Sequence, residues 1–330
     1  MKTVGFLISH KNNEQRRAIL PEDLHAITNR EYLYFEKGYG EVLHISDKEY
    51  KDLGVHVVGR EEVLKCDTLV DVKLGDADYL EQLDPGKTLV GWAHSVQHID
   101  FTSSALQKKH SVLAWERIDE DGRYIFYRNR EIAGEAAILQ GFRYCGKMPY
   151  DSRVAIIGNG QTAKGAMFIL TALGAEVDVF ARKDEKRFRR MLTEGRMQKY
   201  DVIVNCVMWD TNRKDRLIYR EDLKKLRPGT LIIDVSCDPN LEIETTRATT
   251  ISDPVYEVDG IKHYAVDNTP AMYPHTVSRV LSRNFAPYVD CLVTQEYPEN
   301  IRAAFDIEEG KIVYQPIRDF REAKGIFCDD

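Results

Sequence analysis

The chain has 330 residues, 43% of them apolar and 30% charged, and a formal net charge of −7. That is enough chain for two cores, and the acidic balance argues against nucleic acid as a general partner. No apolar run reaches membrane-spanning length, and the opening Met1-Lys-Thr-Val-Gly-Phe6 reads as a strand rather than a leader, so no membrane partner and a cytoplasmic location are expected. The cysteines at 66, 145, 206, 237, 291 and 328 are scattered, with no C-x-x-C pair and no His/Cys cluster, which excludes a structural zinc and fits a reducing compartment.

In chain order, Thr3 to Ile8 is the first expected strand, and the polar loop His10 to Arg17 follows it. Pro21 opens a helix expected to reach Asn29, proline being well placed in a first helical turn. Strands are expected at Tyr32–Glu36, Val55–Val58, Thr68–Lys73, Thr88–His94 and Ser111–Trp115, with short helices at Asp47–Leu53 and Glu61–Cys66 and a longer one at Ile99–Lys109. Strands alternating with helices imply a parallel sheet. An acidic turn, Asp119-Glu-Asp-Gly122, breaks the pattern. Arg130 to Tyr144 then reads as one connecting helix, whose Ala133, Gly134, Ala136, Ala137 and Gly141 permit close packing.

The next stretch, Val154-Ala-Ile-Ile-Gly158-Asn-Gly160-Gln161-Thr162-Ala163, is a buried strand, a glycine turn and the start of a helix that runs to Leu173, followed by a strand at Glu176–Ala181. The spacing is that of a dinucleotide fingerprint with Ala163 in the third small position. Gly158 permits the turn, Gly160 admits a pyrophosphate to the backbone, and Ala163 lets helix and strand approach. The second strand ends without the usual carboxylate for a ribose 2′-hydroxyl. Arg182 and Lys183 stand there instead, with Arg187, Arg189 and Arg190 beyond, so NADPH is expected over NADH. Further strands are read at Tyr200–Cys206 and Leu231–Val235, then a hairpin about Asp259-Gly260. Thr276 to Leu292 reads as one long helix that carries the chain back. The expected organisation is two doubly wound parallel-sheet α/β domains: residues 1–130 with 284–330, and a Rossmann dinucleotide-binding domain over 131–283 with its connecting helices.

Polar residues gather where strands end, which is where open parallel sheets bind ligands. Lys73, His94, the Gly158 turn, Asp238 and Asn268 all fall there and imply a cleft between domains. Arg16, in the loop after the first strand, has the fork that grips a carboxylate. Lys73 is suited to polarising a carbonyl, and His94 to moving a proton near neutral pH. His98, His263 and His275 are less well placed for that role. Gln161, Thr162, Val207, Asp238 and Asn268 complete the expected cofactor-binding set. Cys206 and Cys237 read as packing residues. No metal site is expected.

These residues resemble a known family. Lys11-Asn-Asn-Glu-Gln-Arg16-Arg-Ala-Ile-Leu-Pro21 is similar to the opening motif of alanine dehydrogenases and transhydrogenase subunits, and Val72-Lys73, His94, Ala133-Gly134, the Gly158 turn, Asp234-Val-Ser-Cys-Asp238 and Asn268-Thr-Pro270 follow in the same order. Saccharopine dehydrogenases are distant members. Gly91-Trp-Ala-His94, Gly229-Thr-Leu-Ile-Ile-Asp234, Asp253-Pro-Val-Tyr256 and Val266-Asp-Asn-Thr-Pro270 look most like the carboxyethylornithine synthase branch. That branch condenses pyruvate with the side-chain amine of ornithine or lysine and reduces the imine with NADPH. The resemblance implies that Arg16 binds the pyruvate carboxylate and that Lys73 binds pyruvate and polarises its ketone. It implies that His94 is the acid/base, that Asp238 and Asn268 line the nicotinamide and substrate side, and that the chain assembles as a homo-oligomer. Pro239-Asn240 replaces the glycine pair of alanine dehydrogenases. Alanine dehydrogenase and saccharopine chemistry stay open as alternatives, as does a module that binds NADP(H) without turnover.

Overall fold

A computed structural model describes residues 1–209, 213–237 and 241–326. The chain divides into two compact units, Met1–Phe126 with Tyr273–Asp330, and Tyr127–Met272. The crossings thus follow Phe126 and Met272 rather than residues 130 and 283. Among the described residues, no helix is long and apolar enough to cross a membrane.

Along the first unit run β1 (Val4–Phe6), β2 (Leu33–Glu36), β3 (His56–Val58), β4 (Thr68–Val70), β5 (Thr88–Gly91) and β6 (Ser111–Ala114), then a small hairpin of β7 (Asp119–Glu120) and β8 (Arg123–Tyr124). The second unit holds β9 (Arg153–Ile157), β10 (Glu176–Phe180), β11 (Val202–Asn205), β12 (Leu231–Asp234), β13 (Val255–Val258) and β14 (Ile261–Tyr264). Back in the first unit come β15 (Phe305–Glu308) and β16 (Lys311–Ile312).

The first sheet has the order β16-β15-β6-β5-β4-β1-β2-β3. Strands β1 to β6 are parallel, and β15 and β16 extend the sheet antiparallel. Strand order reverses between β1 and β4, the switch point at which doubly wound sheets open a crevice beyond their carboxyl ends. The second sheet, β10-β9-β11-β12-β14-β13, is parallel except for β13, and reverses between β9 and β11. Its central strands β9, β11 and β12 are near-continuous apolar runs because both faces are covered. Ala155, Ile157, Ile203 and Ile232 pack on one side with Phe188 and Leu223. Val154, Ile156, Val204 and Ile233 pack on the other with Ala137 and Leu170. This is the two-residue alternation of side chains across a sheet.

The covering helices of that second face, Tyr127–Gly141 and Gln161–Ala172, touch backbone to backbone. A Cβ on Gly134 would lie 2.0 Å from the Thr162 carbonyl oxygen, and one on Gly165 would lie 1.9 Å from that of Glu131. The small residues expected to permit close packing therefore do so reciprocally.

Some expected elements are shorter or broken. The helix from Pro21 ends at Leu24. Beyond it, Ala26 and Ile27 bond three residues back, and Asp290 takes the N–H groups of Thr28 and Asn29. The long helix expected over 276–292 is instead Pro274–Phe285, a 3₁₀ turn at Ala286–Tyr288, and Val289–Thr294. Pro287 has no N–H to continue the ladder and crowds the preceding turn. The helix Pro274–Phe285 packs within the first unit: Ser278 Oγ accepts Arg17 N–H, Ser282 Oγ accepts Leu20 N–H, and the Phe285 ring meets Trp115.

Candidate active site

In the first unit, the loops after β1, β4, β5 and β6 are neighbours because those strands are neighbours. Each loop carries one residue of interest: Arg16, Lys73, His94 and Glu116. Lys73 and His94 were expected to close their strands. β4 ends at Val70 and β5 at Gly91, so both residues lie in the loops just past the carboxyl ends.

Arg16 is buried, and its Nε and Nη2 donate to the two carboxylate oxygens of Glu14, at 2.8 and 2.5 Å. Its guanidinium lies 4.8 Å from the Trp92 ring centroid. A fork held by a carboxylate on one edge and an indole on its face is fixed in orientation before any ligand arrives. Arg17 is spent on the scaffold, donating to the carbonyls of Tyr39 and Arg16.

Lys73 is half-buried at the entry to a 3₁₀ turn, Leu74–Asp76. Asp71 sets that turn: its buried carboxylate accepts Lys73 N–H at 2.9 Å and the Tyr79 hydroxyl at 3.1 Å. Burial pushes the Asp71 carboxyl up to about 6. The turn is tied to the next loop, since Gly75 N–H donates to Trp92 O and His98 Nδ1 meets Gly75 O at 3.0 Å. His98 is thereby committed to the scaffold, as is His263 inside β14.

His94 has φ +47, the left-handed region that a non-glycine residue enters only when its surroundings hold it there. What holds it is Glu116, just past β6. Glu116 Oε1 accepts His94 N–H at 2.7 Å and lies 3.2 Å from His94 Nδ1. The imidazole is oriented through Nδ1, and Nε2 faces away from the acid. Burial pushes the Glu116 carboxyl up to about 7, against the lowering effect of the His94 N–H. Sequence reading missed Glu116. The signal was an acid just past β6, beside the strand that carries His94.

In the second unit, the fingerprint turn lies at the β9/β11 switch point. Gly158 has φ +111, and a Cβ there would sit 2.8 Å from the Cys206 carbonyl oxygen. Gly160 is the opposite case: it is exposed, with no atom within 4 Å of a built Cβ. Gln161, Thr162 and Ala163 form the first turn of the following helix, whose N–H groups have no partner inside the helix itself. Ala163 is in the core, and Gln161 Oε1 is buried with no hydrogen-bond partner among the described residues. The open cradle at Gly160 and the N–H groups of the helix start fit a dinucleotide phosphate bridge.

At the end of β10, Arg182 and Lys183 are exposed in a 3₁₀ turn. Arg187 lies over the Phe180 ring. Arg189, expected in the same basic cluster, turns instead to buried Asp222 at 2.5 Å and the Leu217 carbonyl. Val207 follows β11, with its N–H on Asn205 Oδ1 and its carbonyl accepting Ser236 Oγ–H. Asn268 has φ +62, and its carbonyl accepts Ala271 N–H. Asp238 lies outside the described residues. Below this rim is a buried network that sequence reading missed: Asn205 Nδ2 bridges Asp234 and Glu242, and Thr246 donates to Asp234. Burial raises the Asp234 carboxyl. Cys237 is buried, and burial raises the thiol of Cys206.

Two family models match the chain: the N-terminal domain of alanine dehydrogenase/PNT over residues 9–126 and the C-terminal domain over residues 139–315. The chain is 30% identical over 306 residues to N(5)-(carboxyethyl)ornithine synthase of Clostridium botulinum, spanning 87% of this chain and 93% of that protein. It is 31% identical to the same-named protein of Lactococcus lactis, over 85% and 92% of the two chains. It is 26% identical to alanine dehydrogenase of Methanococcus maripaludis, over 95% of each. Among solved structures it resembles an L-alanine dehydrogenase, with a TM-score of 0.83 at 19% identity over 97% and 99% of the two chains. It also resembles the transhydrogenase of Sinorhizobium meliloti, with a TM-score of 0.77 at 17% identity over 95% and 99%. With both domain models matched in order along a doubly wound α/β fold, the chain belongs to the alanine dehydrogenase/PNT family.

Proposed function

We propose that this protein is an NADPH-dependent reductive condensation enzyme that joins pyruvate to the side-chain amine of ornithine or lysine. An oxidoreductase working with a nicotinamide dinucleotide is the coarse reading that family membership carries. The finer reading rests chiefly on one observation: about 30% identity to proteins named for carboxyethylornithine synthesis, across most of both chains. The basic end of β10 supports NADPH, since Arg182 and Lys183 stand where an NAD-binding fold places an acid.

The overall reaction joins an amine to the pyruvate ketone with loss of water, then reduces the resulting imine to a secondary amine. When bound, the nicotinamide supplies the hydride for that last step. Arg16, pre-set by Glu14 and Trp92, binds the pyruvate carboxylate. Lys73 directs its ammonium to the ketone oxygen and favours charge developing there. His94 moves protons at Nε2 as water departs and nitrogen is protonated, with Glu116 holding Nδ1 and stabilising the imidazolium. The Gly158–Ala163 segment holds the pyrophosphate, Val207 and Asn268 line the nucleotide, and Asp238 is assigned with them by family resemblance. Assembly as a homo-oligomer belongs to the same reading.

Purified protein is mixed with pyruvate, NADPH and ornithine or lysine, and loss of absorbance of the reduced cofactor is followed. Turnover with either amine and the expected secondary amine by mass spectrometry support the reading. Turnover with ammonia alone assigns alanine dehydrogenase chemistry. Turnover only with 2-oxoglutarate and lysine assigns saccharopine chemistry. Nucleotide binding without turnover for any pair identifies a binding module.

A further inference from the structure

The turn after β10 is not uniformly basic. Asp184 and Glu185 follow Arg182 and Lys183 directly. Two acids there oppose a phosphate dianion, and each is occupied elsewhere. Asp184 turns back on the chain, its Oδ2 accepting Ala181 N–H at 3.1 Å. Glu185 is gripped by Arg213 through two bonds, Nη2–H to Oε1 at 2.6 Å and Nη1–H to Oε2 at 3.1 Å. Arg213 is itself fixed on its other edge by Asp215, at 2.9 and 2.6 Å, and from below by Trp209, whose ring centroid is 4.0 Å from the guanidinium carbon. The bond to Arg213 holds the Glu185 carboxyl below its ordinary range, and Arg182 acts on it in the same direction. Arg182 therefore feels the Glu185 charge, and Arg213 is the group that compensates it.

We propose that Arg213 is a positioning residue for cofactor choice: by clasping Glu185 it leaves Arg182 and Lys183 to a ribose 2′-phosphate and so favours the cofactor that carries one. The proposal rests on the NADPH reading above. Without the clasp, Glu185 stands unpaired beside Arg182. It then repels the 2′-phosphate of NADPH, while NADH, which has a hydroxyl there, meets no such repulsion. A charge released close to a dianion in a partly solvated turn changes affinity by about tenfold.

The test is direct titration of the full-length protein with NADPH and with NADH by calorimetry, which needs no substrate, with thermal melts run in parallel. The wild-type protein is expected to bind NADPH more tightly. R213Q lowers the ratio of the two affinities about tenfold, through NADPH binding alone. E185Q/R213Q, which removes the charge released beside Arg182 and leaves Asp215 as it is in R213Q, restores the ratio to within about threefold of wild type, a coupling that a structural defect does not produce. R213K keeps the charge and holds the ratio to within about threefold, so it answers the question even if R213Q melts early. A wild-type protein that does not prefer NADPH removes the reading on which the clasp depends. A wild-type preference that R213Q leaves unchanged, or an equal loss for both nucleotides that the double variant does not repair, overturns the clasp alone.

Discussion

His94 and Glu116 form a unit in which each residue does what the other cannot. The imidazole is half-exposed and in a strained left-handed conformation, and the carboxylate holds both its backbone N–H and its Nδ1. Because burial pushes the Glu116 carboxyl up to about 7, it is ionised only above that pH. The value of kcat/KM should therefore rise as pH increases through about 7. E116Q should lower the plateau about tenfold and flatten that acid limb, while H94N costs 10²-fold or more, as read from pH–rate profiles. The same raised carboxyl opposes folding once it ionises, so its contribution to stability is present below its unfolded value and lost as pH rises through about 7. E116Q should accordingly melt no earlier than wild type at pH 8. Gly160 gives a second test at this scale. Nothing lies within 4 Å of a built Cβ, so G160A should melt with the wild type but bind NADPH at least tenfold more weakly in calorimetry.

At the scale of elements, the paired helices Tyr127–Gly141 and Gln161–Ala172 decide where the fingerprint turn points. Their contact is a backbone contact at Gly134 and Gly165. The carbonyl 1.9 Å from a Cβ on Gly165 belongs to the Glu131 main chain and has no side chain to move aside. G165A should lower stability by about 1–3 kcal/mol, the usual range for overpacking, seen as a lower urea midpoint. Because the shifted helix carries Gln161, Thr162 and Ala163 at its start, nucleotide affinity should fall as well. In the first unit, the loop after β4 depends on buried Asp71, which joins Lys73 N–H to the Tyr79 hydroxyl. The lysine is thus positioned through its backbone.

For the whole molecule, the second unit is one continuous segment, Tyr127–Met272, with apolar cores on both faces of its sheet. Expressed alone, residues 127–272 should fold cooperatively and bind NADPH, as read by circular dichroism and calorimetry. The first unit is assembled from both ends of the chain and should not survive truncation at residue 272. Acid sensitivity is also distributed over the molecule. His110 and His263 are fully buried, and burial pushes both down to about 4. Each is neutral in the folded chain and charged in the unfolded chain between about pH 6.5 and 4, so stability falls with pH across that window, by about 1.4 kcal/mol per pH unit for each. The raised carboxyls of Asp71 and Glu116 act in the opposite sense. H110Q should flatten the dependence of the urea midpoint on pH by one proton between pH 6 and 4.

Sequence by itself determined the α/β class, the two large parallel sheets and the strand–glycine–helix turn, because these follow from local periods and from Gly158, whose positive φ favours glycine; the small β7–β8 hairpin was not read from it. The break after Phe285 departs from the single helix expected over 276–292: Pro287 lacks an N–H for the ladder, a signal the sequence carries but the expectation missed. Strand order was not legible: β1 and β4 are far apart in the chain, and only their pairing brings the loops of Arg16 and Lys73 together. Nor were the pairings that give candidate residues their character. Glu14 on Arg16, Glu116 on His94, Asp71 under Lys73, Asp222 drawing Arg189 away and Glu185 in the grip of Arg213 are encounters between charged groups. A charge pattern in sequence says that such groups exist. Which of them is buried and which partner it meets depends on distances and desolvation that arise only when the sheets close.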